Sequence, residues 1–192
     1  MARYGTEHKE TTRRRIIEAA GQRLKRDGID GSGVSALMAD AGLTNGAFYA
    51  HFASKEDLVA TAVADQLHQQ LERYRTQASD RQGIEQLVRE YLSTGHRDDP
   101  AHGCPSAALL DEIGRCGEAT KHAYTEGQLG LVDQIASILV PSNPQSARGQ
   151  TLSLFALLIG TLQLSRALTD RRLADEVLKR GIDNALALLP GE

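Results

Sequence analysis

GVSALMADAGLTNGAFYAHFASKEDL, residues 33–58, contains a short apolar helix, a turn marked by glycine and the start of a second short helix. Four apolar residues of this stretch recur at helical spacing: Val34, Leu37, Met38 and Ala41. Gly42 follows them at the position where helices commonly end in a left-handed residue. Thr44 can then cap the second helix through its hydroxyl. Because two short helices joined by so tight a turn cannot lie antiparallel, we predict a helix-turn-helix.

The start of the second helix is too polar for a core element and slim enough to enter a DNA major groove. Asn45 can read adenine, and Thr44 can reach a base or a phosphate. Gly46 and Ala47 are small, so they permit close approach of the backbone to nucleic acid. Three residues that follow can donate to phosphate oxygens: Tyr49, His51 and Lys55. The alternative is a helical hairpin whose polar residues are simply solvated.

Positions before and after the turn extend this pattern. The run from Ile16 through Ala20, Leu24 and Gly28, followed by LMADAGLTNGAFYAHFASKEDL, resembles the N-terminal DNA-binding domain of the TetR family of transcriptional regulators. The alanine-glycine pair before the turn, the glycine in the second helix, the tyrosine and phenylalanine pair and the Ser-Lys-Glu start of the next helix all match. The resemblance covers about the first third of the chain and implies a DNA-binding regulator.

The chain departs from the family pattern at Gly33, where the family usually has a threonine that caps the first helix of the motif. Either Ser32, the preceding residue, takes this cap and becomes a DNA contact, or that phosphate contact is missing. Further on, Ser54 and Asp57 have the spacing of a capping box for the next helix. The resemblance implies that this helix links the DNA-binding domain to the rest of the molecule.

Charge and composition agree with a helical, two-part protein. Residues 1–55 contain nine Lys/Arg and six Asp/Glu, whereas residues 56–192 contain thirteen and nineteen, so the basic part is the candidate for binding DNA. Aromatic residues make up 4% of the chain and tryptophan is absent, so the core must be mainly aliphatic. We predict an all-α fold with a three-helix DNA-binding domain at residues 1–54. A larger helical ligand-binding and dimerisation domain is expected at residues 55–192, beginning with a helix that starts at residue 55.

The sequence also favours a cytoplasmic protein. No apolar run follows Met1, so we expect no signal peptide, and no stretch is long and apolar enough to span a bilayer. Two cysteines do not make a disulfide framework, which agrees with a reducing compartment. On one straight helix Cys104 and Cys116 would be about 18 Å apart, too far for a disulfide.

Residues 95–105, GHRDDPAHGCP, combine several residue types that can ligate metals, but their spacing fits no standard zinc module. We therefore expect an ordinary loop and no metal or cofactor. Pro105 suits the first turn of the following helix, which places Cys104 at a helix N-terminus where the dipole lowers a thiol pKa. Cys104 is then either an electrophile-sensing or redox-sensing thiol or an inert buried one. An all-α enzyme using Cys104 with His96 or His102 as nucleophile and base is an alternative function.

A helix from about Glu118 to Val140 places Tyr124 and Gln128 on an otherwise apolar face, as an interior ligand site requires. The alternative is that both are hydrogen-bonded groups of an ordinary core. We predict a ligand pocket formed by these two residues together with residues of neighbouring helices: Cys104, Leu109, Ile113, Phe155 and Ile159.

The last two predicted helices, residues 145–168 and 172–189, are rich in leucine, and the first of them is apolar on two sides. One monomer offers one core, so the second face requires a partner. Pairing of both helices with their symmetry mates would form a four-helix interface, which is also how TetR-type proteins dimerise. We interpret the chain as a homodimeric repressor released from a palindromic operator by a small-molecule or electrophilic effector. A DNA-binding protein without an effector is a further alternative.

Overall fold

The structure is a computed structural model that describes residues 2–190, with side chains described from residue 7 onward. Within this range all regular elements are helices, which confirms the predicted fold class. The α-helices are α1 (Ala2–Asp27), α2 (Val34–Asp40), α3 (Lys55–Gln77), α4 (Arg81–Tyr91), α5 (Thr94–Asp98), α6 (Pro105–Arg115), α7 (Glu118–Leu139), α8 (Pro144–Ala167) and α9 (Arg171–Ala187). Two short 3₁₀ helices span Asn45–Ala50, here called the recognition helix, and Pro100–His102. No helix among residues 2–190 has the length and apolar character to cross a membrane.

The helix-turn-helix forms where the sequence predicts it. Gly42 has a φ of 66°, so α2 ends in the left-handed region that glycine adopts without strain. The Leu43 N–H then donates to the Met38 carbonyl, which turns the chain toward the recognition helix. Apolar residues of α1, α2 and the recognition helix are buried together: Ile16, Ala20, Leu24, Leu37, Met38 and Phe48.

Helix α1 is longer than its apolar pattern indicates. The pattern predicts a start near Glu10 with a cap from Thr11 or Thr12, whereas the helix begins at Ala2. Thr11 lies inside the helix, where its hydroxyl donates to the Glu7 carbonyl at 2.9 Å. The apolar stripe marks only the part of α1 that packs against the bundle, and no proline interrupts the polar turns before it.

Helix α3 connects the N-terminal bundle to the body of the molecule. The Asp57 N–H donates to the Ser54 hydroxyl at 3.1 Å, and the Asp57 carboxylate accepts from the Ala53 N–H at 3.0 Å. The predicted capping pair is therefore confirmed, with the second bond shifted by one residue. Helix α3 packs against α1 and along α7. Buried apolar residues form one continuous core across both regions.

Helices α4 to α9 form the body, in which α7 packs against both α3 and α8. The short helix α5 is not predicted by apolar spacing. Arg97 on α5 is almost fully buried and donates to the Asp175 carboxylate of α9 at 2.6 Å, so an ion pair rather than an apolar face holds α5 in place. On the outer surface, α8 and α9 leave three large apolar side chains 45–53% exposed: Leu152, Leu164 and Leu173.

Candidate functional site

The recognition helix presents most of the predicted base-reading residues to solvent. Thr44, Asn45 and Gly46 are exposed, Ala47 is half-buried, and the Tyr49 side chain is 76% exposed. Thr44 occupies the capping position, but its hydroxyl makes no capping hydrogen bond, so the predicted cap is wrong. The six-residue helix is held from beneath by aromatic packing, which leaves its outer surface polar and accessible.

This packing centres on Phe48, which is buried. Its ring meets Tyr49 edge-on with centroids 5.2 Å apart and stacks on Phe52 at 5.9 Å. The Arg13 guanidinium of α1 lies 4.7 Å from the Phe52 ring centroid, which is a cation–π contact. His51 is half-buried beside the same helix, and burial, Lys9 and Arg13 lower its pKa. These contacts fix the angle between α1 and the recognition helix.

Ser32 is not a DNA contact. Its side chain is fully buried, and its hydroxyl donates to the Gly28 carbonyl at 2.6 Å. Gly33 occupies the capping position of α2 without a side-chain hydrogen bond. The Ser32 hydroxyl therefore closes the loop between α1 and α2. Helix α2 has no side-chain cap at its N-terminus.

The Lys55 side chain also forms a hydrogen bond within the molecule. Its ammonium donates to the Ile29 carbonyl at 2.6 Å, in the loop between α1 and α2. This places the charge at the junction between the N-terminal bundle and the C-terminal end of α6, beside Glu112 and Cys116. The ammonium thus binds a carbonyl of a loop that helical spacing does not place, and its phosphate contact stays a prediction.

Two further polar contacts join the N-terminal bundle to α6 and the loop before it. The Glu112 carboxylate of α6 accepts from the Ile29 N–H at 2.7 Å and from the Asp30 N–H at 3.0 Å. The buried Lys25 ammonium of α1 donates to the Gly103 carbonyl at 3.0 Å. Burial, with a smaller effect from Arg73, lowers the pKa of Lys25 to about 8. Sequence reasoning missed both contacts, since each joins residues about 80 positions apart.

A cavity of about 260 Å³, here called the Cys104 cavity, lies between α3, α4 and the segment that precedes α6. Its wall includes Gln70, Arg73, Tyr74, Gln77, Leu87, Glu90, Tyr91, Gly95, His96, Asp99, His102, Gly103 and Cys104. Cys104 is buried and occupies the capping position of α6, as the sequence predicts. Cys104 is the one member of the predicted ligand pocket in this wall.

His96 is fixed as a neutral ring against Cys104. Its Nδ1 lies 2.7 Å from the Tyr91 carbonyl oxygen and must donate to it, while its Nε2 accepts from the Cys104 N–H at 2.9 Å. Burial lowers the pKa of His96, and the cations Arg166, Arg73 and Lys25 lower it further. Because the Nε2 lone pair already has a partner, His96 is not placed to take the thiol proton. The other predicted base, His102, is exposed and pairs with Asp99 at 2.9 Å.

Tyr124 and Gln128 are joined through Ser106 and do not line the Cys104 cavity. The Tyr124 hydroxyl donates to the buried Ser106 hydroxyl at 3.1 Å, and Ser106 donates to the Gln128 amide oxygen at 3.2 Å. The other predicted pocket residues lie in the core: Leu109, Ile113, Phe155 and Ile159 are 2–6% exposed. These bonds agree with the alternative interpretation of Tyr124 and Gln128 as hydrogen-bonded core or boundary groups, and both side chains are half-buried. Helical spacing identifies an inward face but not the place where facing helices leave a gap.

Comparison with known proteins agrees with this architecture. Residues 16–62 match the family model described as bacterial regulatory proteins, tetR family. The structure of Escherichia coli NemR in its reduced form is 19% identical with a TM-score of 0.78, covering 95% of this chain and 100% of that chain. A TetR-family transcriptional regulator from Agrobacterium tumefaciens is 19% identical with a TM-score of 0.73, covering 92% of this chain and 98% of that one.

A third similar structure is Bacillus subtilis FadR in complex with stearoyl-CoA, at 17% identity and a TM-score of 0.63, with coverage of 88% and 96%. A search of curated proteins found no match to this sequence. The exposed recognition helix on a three-helix bundle, followed by a helical body, defines a helix-turn-helix DNA-binding regulator. Residues 16–62 therefore form a DNA-binding domain of the tetR family type, and the rest of the chain shares its fold with TetR-family transcriptional regulators.

Proposed function

We propose that this protein is a homodimeric repressor that leaves a palindromic operator when a small-molecule effector occupies the Cys104 cavity. One observation carries the proposal: the wall of the cavity is bonded directly to the DNA-binding bundle. The Gly103 carbonyl in that wall accepts from Lys25 of α1, and α6 begins at the next residues. An effector that displaces this wall must therefore disturb the helix that supports the recognition helix.

The second connection lies at the other end of α6. Glu112, eight residues beyond Cys104 and about 12 Å along the helix, binds the backbone of Ile29 and Asp30. Helix α6 is thus held to the bundle at both ends, so a tilt of α6 would alter the angle between α1 and α2. Coupling requires that the effector bind the two arrangements with different affinity.

For DNA, we propose that the exposed surface of the recognition helix reads bases and phosphates. Asn45 would read adenine, Gly46 and Ala47 would allow close approach, and Thr44 and Tyr49 would bind bases or phosphates. Residues 1–54 would form the DNA-binding domain, and residues 55–192 would bind the effector and the second subunit. A repressor of this kind would work in the cytoplasm, where bacterial operator DNA is located.

The outer surface of α8 and α9 supports dimerisation. Leu152, Leu164 and Leu173 are about half exposed, and complete burial of one such side chain is worth about 1.5–3 kcal/mol. Ala156 and Gly160 are exposed on the same helix, four residues apart, and would let a second α8 approach closely. A two-fold dimer would present two recognition helices to successive major grooves.

The cavity volume favours a small effector. At about 260 Å³ the Cys104 cavity is near the lower end of ligand pockets, which span roughly 300–1,000 Å³. Stearoyl-CoA, the ligand in the FadR complex, is too large for this volume. Because the NemR structure is described as a reduced form, a thiol-dependent state is also worth testing at Cys104, where an electrophile would add bulk to the cavity wall.

The test is selection from random DNA with the purified protein, followed by sedimentation of the complex. We expect a palindromic site bound by two subunits, and we expect Leu164→Lys to give monomers with weakened operator binding. Gln82→Lys places the same charge on the exposed face of α4 and should leave the dimer intact. Recovery of only asymmetric sites, or a monomer that binds as tightly as wild type, would overturn the dimeric proposal.

A further inference from the structure

Two cations of α1 lie beside the recognition helix. Arg13 is half-buried, and its guanidinium lies 4.7 Å from the centroid of the Phe52 ring. Lys9 is exposed and precedes Arg13 by four residues, so both side chains lie on the same face of α1. Burial is the main cause of the lowered pKa of His51, and Lys9 and Arg13 are the two charges that lower it further. Both cations therefore lie within electrostatic reach of the C-terminal end of the recognition helix.

No acidic side chain neutralises these two cations in the part of the chain whose side chains the structure describes. Residues 1–6 contain no Asp or Glu. Glu7 lies about 160° around the helix from Lys9, and Glu10 has the spacing to meet Arg13 but forms no ion pair with it. The ion pairs of α1 use other arginines: Arg14, Arg23 and Arg26. Lys9 and Arg13 are therefore available to an anion outside the protein.

The position of these cations matches the edge of a major groove that holds the recognition helix. A helix with its side chains is about 10–12 Å wide and the groove is about 12 Å wide, so the helix fills the groove. Groups packed beside the helix then face the sugar-phosphate backbone that borders the groove. Arg13 is such a group, because the Phe52 ring beneath it stacks on Phe48 of the recognition helix with centroids 5.9 Å apart.

We propose that α1 makes a second contact with DNA, in which Lys9 and Arg13 bind backbone phosphates beside the bases that the recognition helix reads. The inference rests on the proposed function in one respect, that the recognition helix enters a major groove, and it adds a contact outside that helix. With one face on Phe52, the Arg13 guanidinium can still donate from its N–H edge to two oxygens of one phosphate. Such contacts position a protein on the duplex without reading its sequence.

The salt dependence of binding gives the expected magnitude. Each phosphate contact contributes about 0.9 to the slope of log affinity against log salt concentration. Two contacts in each of two subunits would therefore account for a slope of about 3.6. Between about 50 and 200 mM salt, the affinity of wild type should fall about 150-fold more than that of a variant that lacks both cations.

The test is fluorescence anisotropy of the full-length protein over this range of salt, with two duplexes of equal length. One contains the site selected from random DNA, and the other has an unrelated sequence. We expect the double variant Lys9→Gln, Arg13→Gln to lose affinity for both duplexes by similar factors, with a slope smaller by about 3.6. Lys9→Gln alone changes one exposed side chain, so it should fold like wild type and reduce the slope by about 1.8.

The matched control is Arg15→Gln. Arg15 is an exposed cation of the same helix that lies about 160° around α1 from Arg13. Its replacement makes the same change in net charge on a face turned away from the recognition helix. We expect this variant to keep the wild-type slope on both duplexes.

Arg13→Lys separates phosphate binding from support of the recognition helix. Lysine keeps the charge but lacks the planar group that stacks on Phe52. If Arg13 binds phosphate, Arg13→Lys should keep most of the salt slope, whereas Arg13→Gln should lose about 1.8 of it. A residue that only supported the recognition helix would give altered sequence selection in both variants and no change in slope, and that result would overturn the phosphate contact.

The proposal is also overturned if Lys9→Gln and the double variant keep the wild-type slope, or if Arg15→Gln lowers it as much as Lys9→Gln does. Failure of the proposed function would be seen separately, as equal affinity of wild type for the two duplexes; a smaller slope in the variants would then still support the contact of α1. Selective binding by wild type, with unchanged slopes in the variants, would overturn the contact of α1 alone.

Discussion

Replacement of Glu112 by alanine should loosen the joint between α6 and the DNA-binding bundle. The carboxylate accepts two backbone N–H bonds, at 2.7 Å from Ile29 and at 3.0 Å from Asp30. Ile29 is 7% exposed, so its N–H would lose its acceptor with little access to water, whereas exposed Asp30 can bind solvent instead. Hydrogen bonds to a charged group contribute about 1.5–3 kcal/mol. Since only one of the two bonds is shielded, we expect a total loss of about 2–3 kcal/mol in the free energy of unfolding.

The assay is urea unfolding monitored by circular dichroism, together with operator affinity measured with and without effector. Glu112→Gln keeps an acceptor oxygen but loses the charge, so its stability should lie between wild type and Glu112→Ala. Asp111→Ala is the matched control, because it removes a carboxylate from the same helix that pairs only with the exposed Arg115. If Glu112→Ala were as stable as Asp111→Ala and released DNA normally with effector, the role of Glu112 in coupling would be refuted.

Three other predictions concern DNA reading, pH and thiol reactivity. Asn45→Ala should change which sequences are selected from random DNA, whereas Tyr49→Phe should weaken binding to all sequences; the same shift in sequence preference from both variants would contradict this division. Burial lowers the pKa of Lys25 to about 8 in the folded protein, from an ordinary value of 10.5, so the unfolded chain binds more protons between these values. The unfolding free energy of wild type should therefore rise relative to Lys25→Met as the pH increases from 8 to 10, and a flat difference in urea titrations would exclude the effect. Cys104 lies at the N-terminus of α6 in the cavity wall, whereas burial and then nearby carboxylates raise the pKa of Cys116, so a thiol-reactive electrophile that enters the cavity near neutral pH should modify Cys104 faster, as followed by mass spectrometry. Loss of operator binding after this treatment should occur in wild type and Cys116→Ser but not in Cys104→Ser; equal loss in all three would assign the effect elsewhere.

Local sequence signals predict the helices well because they act over a few residues. Gly42 adopts the left-handed conformation that its place after an apolar run requires, and Ser54 caps α3 through Asp57 as their spacing indicates. Proline at position 105 likewise marks the start of α6. In each case the interaction that decides the boundary lies within the same turn of the chain, so the sequence contains all of its participants.

Side-chain partners that depend on loop geometry or on helix packing are not predicted from the sequence. The Ser32 hydroxyl, a predicted DNA contact, bonds to Gly28 in a buried loop, and the Lys55 ammonium has a bond to the Ile29 carbonyl that the sequence does not indicate. Tyr124 was placed in a ligand pocket, yet its hydroxyl meets Ser106 from another helix. Helical periodicity gives the face on which a side chain lies, but its hydrogen-bond partner depends on how the helices pack.

The Cys104 cavity is partly within reach of sequence reasoning. The position of Cys104 before Pro105 identifies a thiol at a helix N-terminus, and the structure places it in the cavity wall. The opposite wall comes from α3 and α4, where Gln70 and Tyr91 look like ordinary boundary and core residues in the sequence. Their place in the cavity wall becomes visible only when the neighbouring helices are in place.

The DNA-binding bundle and the body share one buried core, which limits the exchange of recognition helices between related regulators. Lys25 and Ile29 of the bundle are bonded to Gly103 and Glu112 of the body, and buried apolar residues cross the same boundary. We expect a chimera that joins residues 1–54 to a foreign body to bind DNA but to ignore its effector unless the partners of Lys25 and Ile29 are transferred with it. The portable unit of this protein is therefore the bundle together with α6, which is discontinuous in the chain.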